Sequence, residues 1–315
     1  LFFEMQTLCQ NTAEDIAMQR LMRREFADIK EQYSADLEGS MELTFSVASG
    51  QVVGLLGRNG AGKSTLLRIV SGQLRQTGGE AELMGAPVGM ETLGRLCLIG
   101  DTPDFGGLKN AREFLNVCAG LFPAWQREQA DRLMTLFGLP LKKPLKGYSR
   151  GMQTALLLCA GLASGAELTV FDEPSLGLDA VMRERFYDAV VEARRREPQR
   201  TFLISTHLID EVARTLDYAV MIDGGHLLAQ GSPEEMTRLY LCVSGSAEEV
   251  RAATAGLAVL REEEVAGTLV RYTRLNAPED AGRIRACGRV QTAPVSLQRL
   301  FVLLTGEKEA KRDAV

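Results

Sequence analysis

The apolar positions of this chain fall in short unbroken runs. Val52-Val53-Gly54-Leu55-Leu56, Leu96-Cys97-Leu98-Ile99, Leu168-Thr169-Val170-Phe171 and Phe202-Leu203-Ile204 carry almost no polar side chain. A strand covered on both faces shows such a run, whereas a half-exposed strand alternates. The four runs therefore predict buried strands, and residues 154–162 between them predict an apolar helix. Strands separated by helices point to an α/β chain. After Gly231-Ser232-Pro233-Glu234-Glu235-Met236, a turn and helix cap, the pattern changes. Apolar stretches at 239–243, 258–260 and 269–272, helix-like stretches at 247–255 and 278–287, and Val290 predict a small α+β domain over 237–306, with a tail at 307–315. At the other end, Met5, Leu8, Cys9, Ala13, Ile16, Ala17 and Leu21 recur at helical spacing. They make 1–25 an extension with three readings: a partner-binding helix, a stretch ahead of a start at Met18 or Met22, or a loosely packed terminus.

The first run leads straight into Gly57-Arg58-Asn59-Gly60-Ala61-Gly62-Lys63-Ser64-Thr65. A glycine-rich turn between a buried strand and a helix lets backbone N–H groups face phosphate oxygens, with the positive end of the helix dipole aimed at the same anion. At that spacing Lys63 bridges the β- and γ-phosphates of a nucleoside triphosphate and the Ser64 hydroxyl holds Mg²⁺. The third run ends in Asp172-Glu173-Pro174, two carboxylates at the C-terminal edge of a buried strand, where α/β sheets place their ligands. Asp172 is placed to reach the Mg²⁺ shell through water, and Glu173 to polarise an attacking water. The helix N-terminus at Ser149-Arg150-Gly151 offers a second place for an anion, and the fourth run leads into Ser205-Thr206-His207.

Composition narrows the setting. The 315 residues suffice for an α/β core and a second small domain. A formal charge of −5 leaves no electrostatic footprint for nucleic acid, and the one compact basic run, Arg194-Arg195-Arg196, reads as a solvated helix end. The six cysteines show no Cys-x-x-Cys spacing, which suits reduced thiols and implies neither a disulfide framework nor a metal site. The longest charge-free stretch, 151–166, falls short of the ~20 apolar residues that span a bilayer, and no secretory signal is evident. The expected location is the cytoplasm.

Taken in order, these segments resemble the ATP-binding-cassette ATPases over roughly residues 26–236. Residues 57–65 look like the family's Walker A loop, Tyr148-Ser149-Arg150-Gly151-Met152 like its signature motif, and Phe171-Asp172-Glu173 like the end of Walker B. Ser175-Leu176-Gly177-Leu178-Asp179 resembles the D-loop and His207 the switch histidine. Ser149 lies 23 positions before Asp172 and His207 35 after it, as the family has them. The resemblance implies a P-loop core with a helical subdomain at about 104–165, ATP and Mg²⁺ as cofactors, and head-to-tail pairing with a second ABC ATPase. In such a pair Ser149 and Gly151 reach the γ-phosphate of the other subunit and His207 touches it in its own. By the same resemblance Tyr33 stacks on adenine, and Asp101 stands where the family usually carries the metal-linked Gln. Arg150 replaces the usual Gly and Met152 the usual Gln; Arg150 has a phosphate contact and a solvent-facing position as its two readings.

The segments 122–125, 137–143, 148–152 and 205–212 look like those of the YtrB-type group of bacterial drug or lipid exporters. That implies a subunit lying on the inner face of the cell membrane beside an integral-membrane permease, with Phe105, Leu108, Phe114 and Trp125 as candidate contacts; aromatics at helical spacing are more often core than interface, so both readings stand for these side chains. The alternative is a soluble cassette ATPase that clamps a non-membrane assembly.

Overall fold

In a computed structural model, residues 43–312 are described except Thr77, Asp101 and Cys287, with backbone alone at 307–312. The expectations placed on Tyr33, on Asp101 and on the extension at 1–25 lie outside the described residues. The chain enters strand β1 (Val52–Leu56) and helix α1 (Lys63–Val70), then a short hairpin of β2 (Glu82–Leu83) and β3 (Ala86–Pro87). Helix α2 (Met90–Leu93) and strand β4 (Leu96–Ile99) follow. Three helices come next, α3 (Ala111–Leu121), α4 (Arg127–Leu136) and α5 (Arg150–Ala163), and then β5 (Leu168–Asp172), α6 (Ala180–Arg196), β6 (Thr201–Thr206), α7 (Ile209–Val212), β7 (Tyr218–Asp223) and β8 (His226–Gly231).

The main sheet runs β4-β5-β6-β1-β7-β8, parallel except for the antiparallel edge strand β8. All five residues of β1 are buried because it lies between two parallel neighbours, with Val52 opposite Phe202 and Leu56 opposite both Thr206 and Met221. Helix α5 begins four residues before the apolar stretch at 154–162, since the Ser149 hydroxyl caps it by accepting from the Met152 N–H. It lies close on the sheet: a Cβ at Gly161 would fall 2.7 Å from both Ile99 and Phe171 side-chain atoms. Arg200, 3% exposed, closes the far end of α5 by donating to the Gly161 and Leu162 carbonyls and to Thr169 of β5.

Beyond β8 come α8 (Pro233–Thr237), β9 (Tyr240–Gly245), α9 (Ala247–Ala253), β10 (Ala258–Val265), β11 (Thr268–Arg274), α10 (Glu279–Ala286), β12 (Gln291–Pro294) and α11 (Leu297–Arg312). Their strands form a second, antiparallel sheet in the order β10-β11-β9-β12, the βαββαβ split arrangement. Leu241, Val243, Val250, Leu269 and Ile284 make its core. Helix α11 packs on this sheet and on α7, where the Gln298 side-chain oxygen accepts from the Asp210 N–H at 3.4 Å.

Phe105 and Phe114, read as candidate permease contacts, are each 8% exposed and meet edge to face with ring centroids 5.1 Å apart. They are core, because the loop before α3 folds back over its buried face; Leu108 and Trp125 stay half-buried.

Cys97, Cys118 and Cys159 are buried free thiols. Burial pushes Cys97 up to about 11, Cys118 to about 12 and Cys159 further in the same direction. Since the thiolate is the reactive form, these three resist a thiol reagent at neutral to mildly alkaline pH and react only on denaturation. Mass spectrometry of native and unfolded samples after labelling checks this.

Candidate nucleotide site

Strands β5, β6 and β1 are adjacent and parallel, so the segments leaving their C-terminal ends share one edge of the sheet. After β1 the chain cannot carry a side chain at Gly57, where a Cβ would lie 2.6 Å from the Ile222 carbonyl oxygen. Gly60 and Gly62 take left-handed φ of 80° and 100°, a conformation glycine adopts without steric cost. The loop is tied down by Gly57 N–H to the Thr206 carbonyl at 3.3 Å and Gly225 N–H to the Ala61 carbonyl at 3.1 Å. Gly62 is the N-cap of α1, with no side-chain cap and no acidic residue in the first turn. The helix thus presents free amides and its positive pole, the physical requirement for an anion site. Arg58, Asn59 and Gly60 are exposed, Ala61 buried, and Ser64 and Thr65 half-buried.

Lys63 is 6% exposed. Its Nζ donates to the Gly57 carbonyl at 2.9 Å and the Arg58 carbonyl at 3.2 Å, and lies 3.1 Å from Glu173 Oε1. Glu173 Oε2 is 2.9 Å from His207 Nδ1. The carboxylate of Glu173 is therefore held between the lysine of the loop and the histidine beyond β6. Its backbone has φ of 48°, a left-handed conformation that costs a non-glycine residue roughly 1–2 kcal/mol. Such strain persists only where neighbours over-determine it; here the Glu173 N–H donates to both the carbonyl and the hydroxyl of Ser205, at 3.0 and 3.2 Å. The Ser205 hydroxyl in turn donates to Asp172 Oδ1. Lys63, Glu173 and His207 are thus joined directly, and Asp172 is tied to Glu173 through Ser205.

Ser149 and Gly151 do not join them. Ser149 is exposed and its hydroxyl caps α5, while a Cβ at Gly151 would lie 2.7 Å from the Gly177 carbonyl oxygen. Thr154 Oγ1 donates to the Leu176 carbonyl at 3.4 Å. The start of α5 thus packs on the turn at 175–179. The Arg150 stem lies along the same turn, its Cγ 3.3 Å from where a Gly177 Cβ would be.

Two hard oxygen donors, the Ser64 hydroxyl and the Asp172 carboxylate, suit Mg²⁺, which binds through one or two protein oxygens together with substrate phosphates and water. Among the described residues no cluster of three His, Cys, Asp or Glu could hold a metal by itself. Sequence reasoning passed over Ser205, although a lone serine ending an apolar run calls for a partner when buried.

Residues 41–176 match the family model described as ABC transporter. Nod factor export ATP-binding protein I of Rhizobium sp. (strain N33) is 32% identical over 286 residues, covering 85% of this chain and 92% of that protein. An uncharacterized ABC transporter ATP-binding protein of Nostoc sp. is 33% identical over 201 residues, 61% of this chain and 59% of the relative's length. Among solved structures, an ATP binding subunit of an ABC transporter superposes with a TM-score of 0.56 at 25% identity, covering 62% of this chain and 84% of that one. The fold is shared with an ATP-binding cassette solved as a dimer with ADP and Pi, with a TM-score of 0.52 at 17% identity over 61% of this chain and 89% of that one.

Proposed function

We propose that this chain, which belongs to the ATP-binding subunits of ABC transporters, drives export through a separate membrane permease by ATP-dependent pairing with a second cassette. It is an ATP hydrolase. The observation that carries the reading is that Lys63, Glu173 and His207 are joined to one another, while the exposed Ser149 caps its own helix and Gly151 packs on the turn at 175–179. An anion in the 57–65 loop can then be closed over by Ser149 and Gly151 of another copy or of a related subunit.

In this reading the α1 amides and Lys63 hold the β- and γ-phosphates, and Lys63 trades its ion pair with Glu173 for phosphate oxygens. The freed Glu173 carboxylate accepts a proton from the attacking water. His207, half-exposed beside it, fixes that carboxylate through Nδ1 and keeps its other ring nitrogen for the γ-phosphate. Mg²⁺, held by Ser64 and by Asp172 through water, would supply charge neutralisation between the β- and γ-phosphates. Loss of the shared γ-phosphate then opens the pair.

Export as the direction is supported by relatives named as Nod factor export proteins, and we keep the YtrB-type grouping of the motifs within that reading. Among the described residues no helix is long and apolar enough to cross a membrane; in this reading a permease partner supplies the path and the chain sits at the inner face of the cell membrane. Mild detergent extraction of membranes carrying the tagged chain tests this: the reading expects a polytopic membrane protein to co-purify in stoichiometric amount. Recovery with a non-membrane assembly instead supports the clamp-type alternative.

A further inference from the structure

Ser205, one residue before the end of β6, lies directly opposite Asp172 of β5 and is fully buried. Its hydroxyl has one hydrogen to give and lone pairs to receive, and the surroundings fix which goes where. The Glu173 N–H can only donate, so it donates to Ser205 Oγ, and the Ser205 hydrogen goes to Asp172 Oδ1. One hydroxyl is thereby bonded to both acidic residues at the strand edge. It engages one oxygen of the Asp172 carboxylate and sets that carboxylate's rotation. It also gives the Glu173 amide a second acceptor beside the Ser205 carbonyl, at the residue whose φ is 48°. Packing alone does not call for a hydroxyl here, since Phe202 and Ile204 on the same strand and Phe171 beside them are apolar and fully buried.

We propose that Ser205 is a positioning residue for ATP hydrolysis: its hydroxyl aims the Asp172 carboxylate for Mg²⁺ and holds the Glu173 backbone in the conformation from which its side chain meets Lys63 and His207. The inference rests on the roles given above to Asp172 and Glu173. It assigns Ser205 no contact with nucleotide, so its effect must travel through those two residues.

The test compares Ser205→Ala, which removes the hydroxyl, and Ser205→Cys, which keeps the shape with a much weaker donor, with the unaltered chain. Turnover is measured against free Mg²⁺, Mn²⁺ affinity of the ATP complex by electron paramagnetic resonance, ATP binding without metal by equilibrium titration, and folding by thermal melting. Removing a residue that orients a metal ligand costs about 10–100-fold in metal affinity or activity. Both variants are therefore expected to need about tenfold more Mg²⁺ for half-maximal turnover and to bind Mn²⁺ correspondingly more weakly, with metal-free ATP binding within about twofold. Unchanged Mg²⁺ dependence and Mn²⁺ affinity in either folded variant, with only a lower melting temperature, would overturn the proposal and leave Ser205 a packing residue. Should Ser205→Ala fail to fold, Ser205→Cys decides on the same readings. Glu173→Gln run alongside keeps the two levels apart: turnover surviving that change defeats the role of Glu173 itself, whereas turnover lost there but untouched in the Ser205 variants defeats only the present inference.

Discussion

Replacing Glu173 by Gln lowers ATP turnover by about 10²–10⁴-fold, the usual worth of a positioned general base, while ATP stays bound. The amide keeps the size of the carboxylate and can still meet Lys63 and His207, so the phosphate-binding loop is not disturbed. What it loses is the ability to take a proton from water. It also removes the negative charge 3.1 Å from Lys63 Nζ, which competes with phosphate for that ammonium. ATP affinity is therefore expected to hold or rise as the rate collapses, a combination that an unfolded or misassembled variant does not give. Single-turnover hydrolysis and nucleotide titration on the same preparation check both halves.

Replacing Lys63 by Ala acts on the other side of the pair and separates differently. A charge-assisted hydrogen bond contributes about 1.5–3 kcal/mol, and tenfold in affinity is about 1.4 kcal/mol. ATP binding should therefore weaken by roughly 10–100-fold, and turnover should fall with it. The same change leaves the Glu173 carboxylate, 11% exposed, without its ammonium partner. Breaking a buried pair from one side costs about 3–5 kcal/mol; the remaining His207 contact places the expected loss of folding stability near the lower end, about 3 kcal/mol. The double variant with Glu173→Gln should recover much of that stability because no unpaired charge remains, yet recover none of the ATP affinity. Denaturant titrations beside nucleotide titrations of the single and double variants check the split.

Much of the nucleotide-binding core was legible because its signals are local. Unbroken apolar runs marked β1, β4, β5 and β6, and the glycines at 57, 60 and 62 announced a loop that only glycine can follow at those backbone angles or approaches. Spacing alone does not say that β6 lies between β5 and β1, and that order is what brings His207 and Ser205 to Asp172 and Glu173. In the C-terminal sheet, β10 was read only over its first three residues, because Arg261-Glu262-Glu263-Glu264 has no apolar period. It is an edge strand whose charges are answered in three dimensions: Glu262 by Arg251 and Arg271, Glu263 by Arg261 and Arg299. Phe105 and Phe114 are a case where spacing leaves both a surface contact and a core position open, and the fold uses them as core. In each case the missing information was which side chains meet in three dimensions, whether nine residues apart, as for Phe105 and Phe114, or 34, as for Glu173 and His207.

In the mechanism proposed above, a triphosphate held by Lys63 is completed by the Ser149 segment of a second cassette. Light scattering of the Glu173→Gln chain, with and without Mg²⁺ and ATP, tests it most directly. The expected result is the mass of one chain without nucleotide and of two with it, and reversion to one when Ser149 is also replaced by Arg. A chain that saturates with ATP yet keeps the mass of a monomer, or a dimer indifferent to both ATP and Ser149, would contradict it.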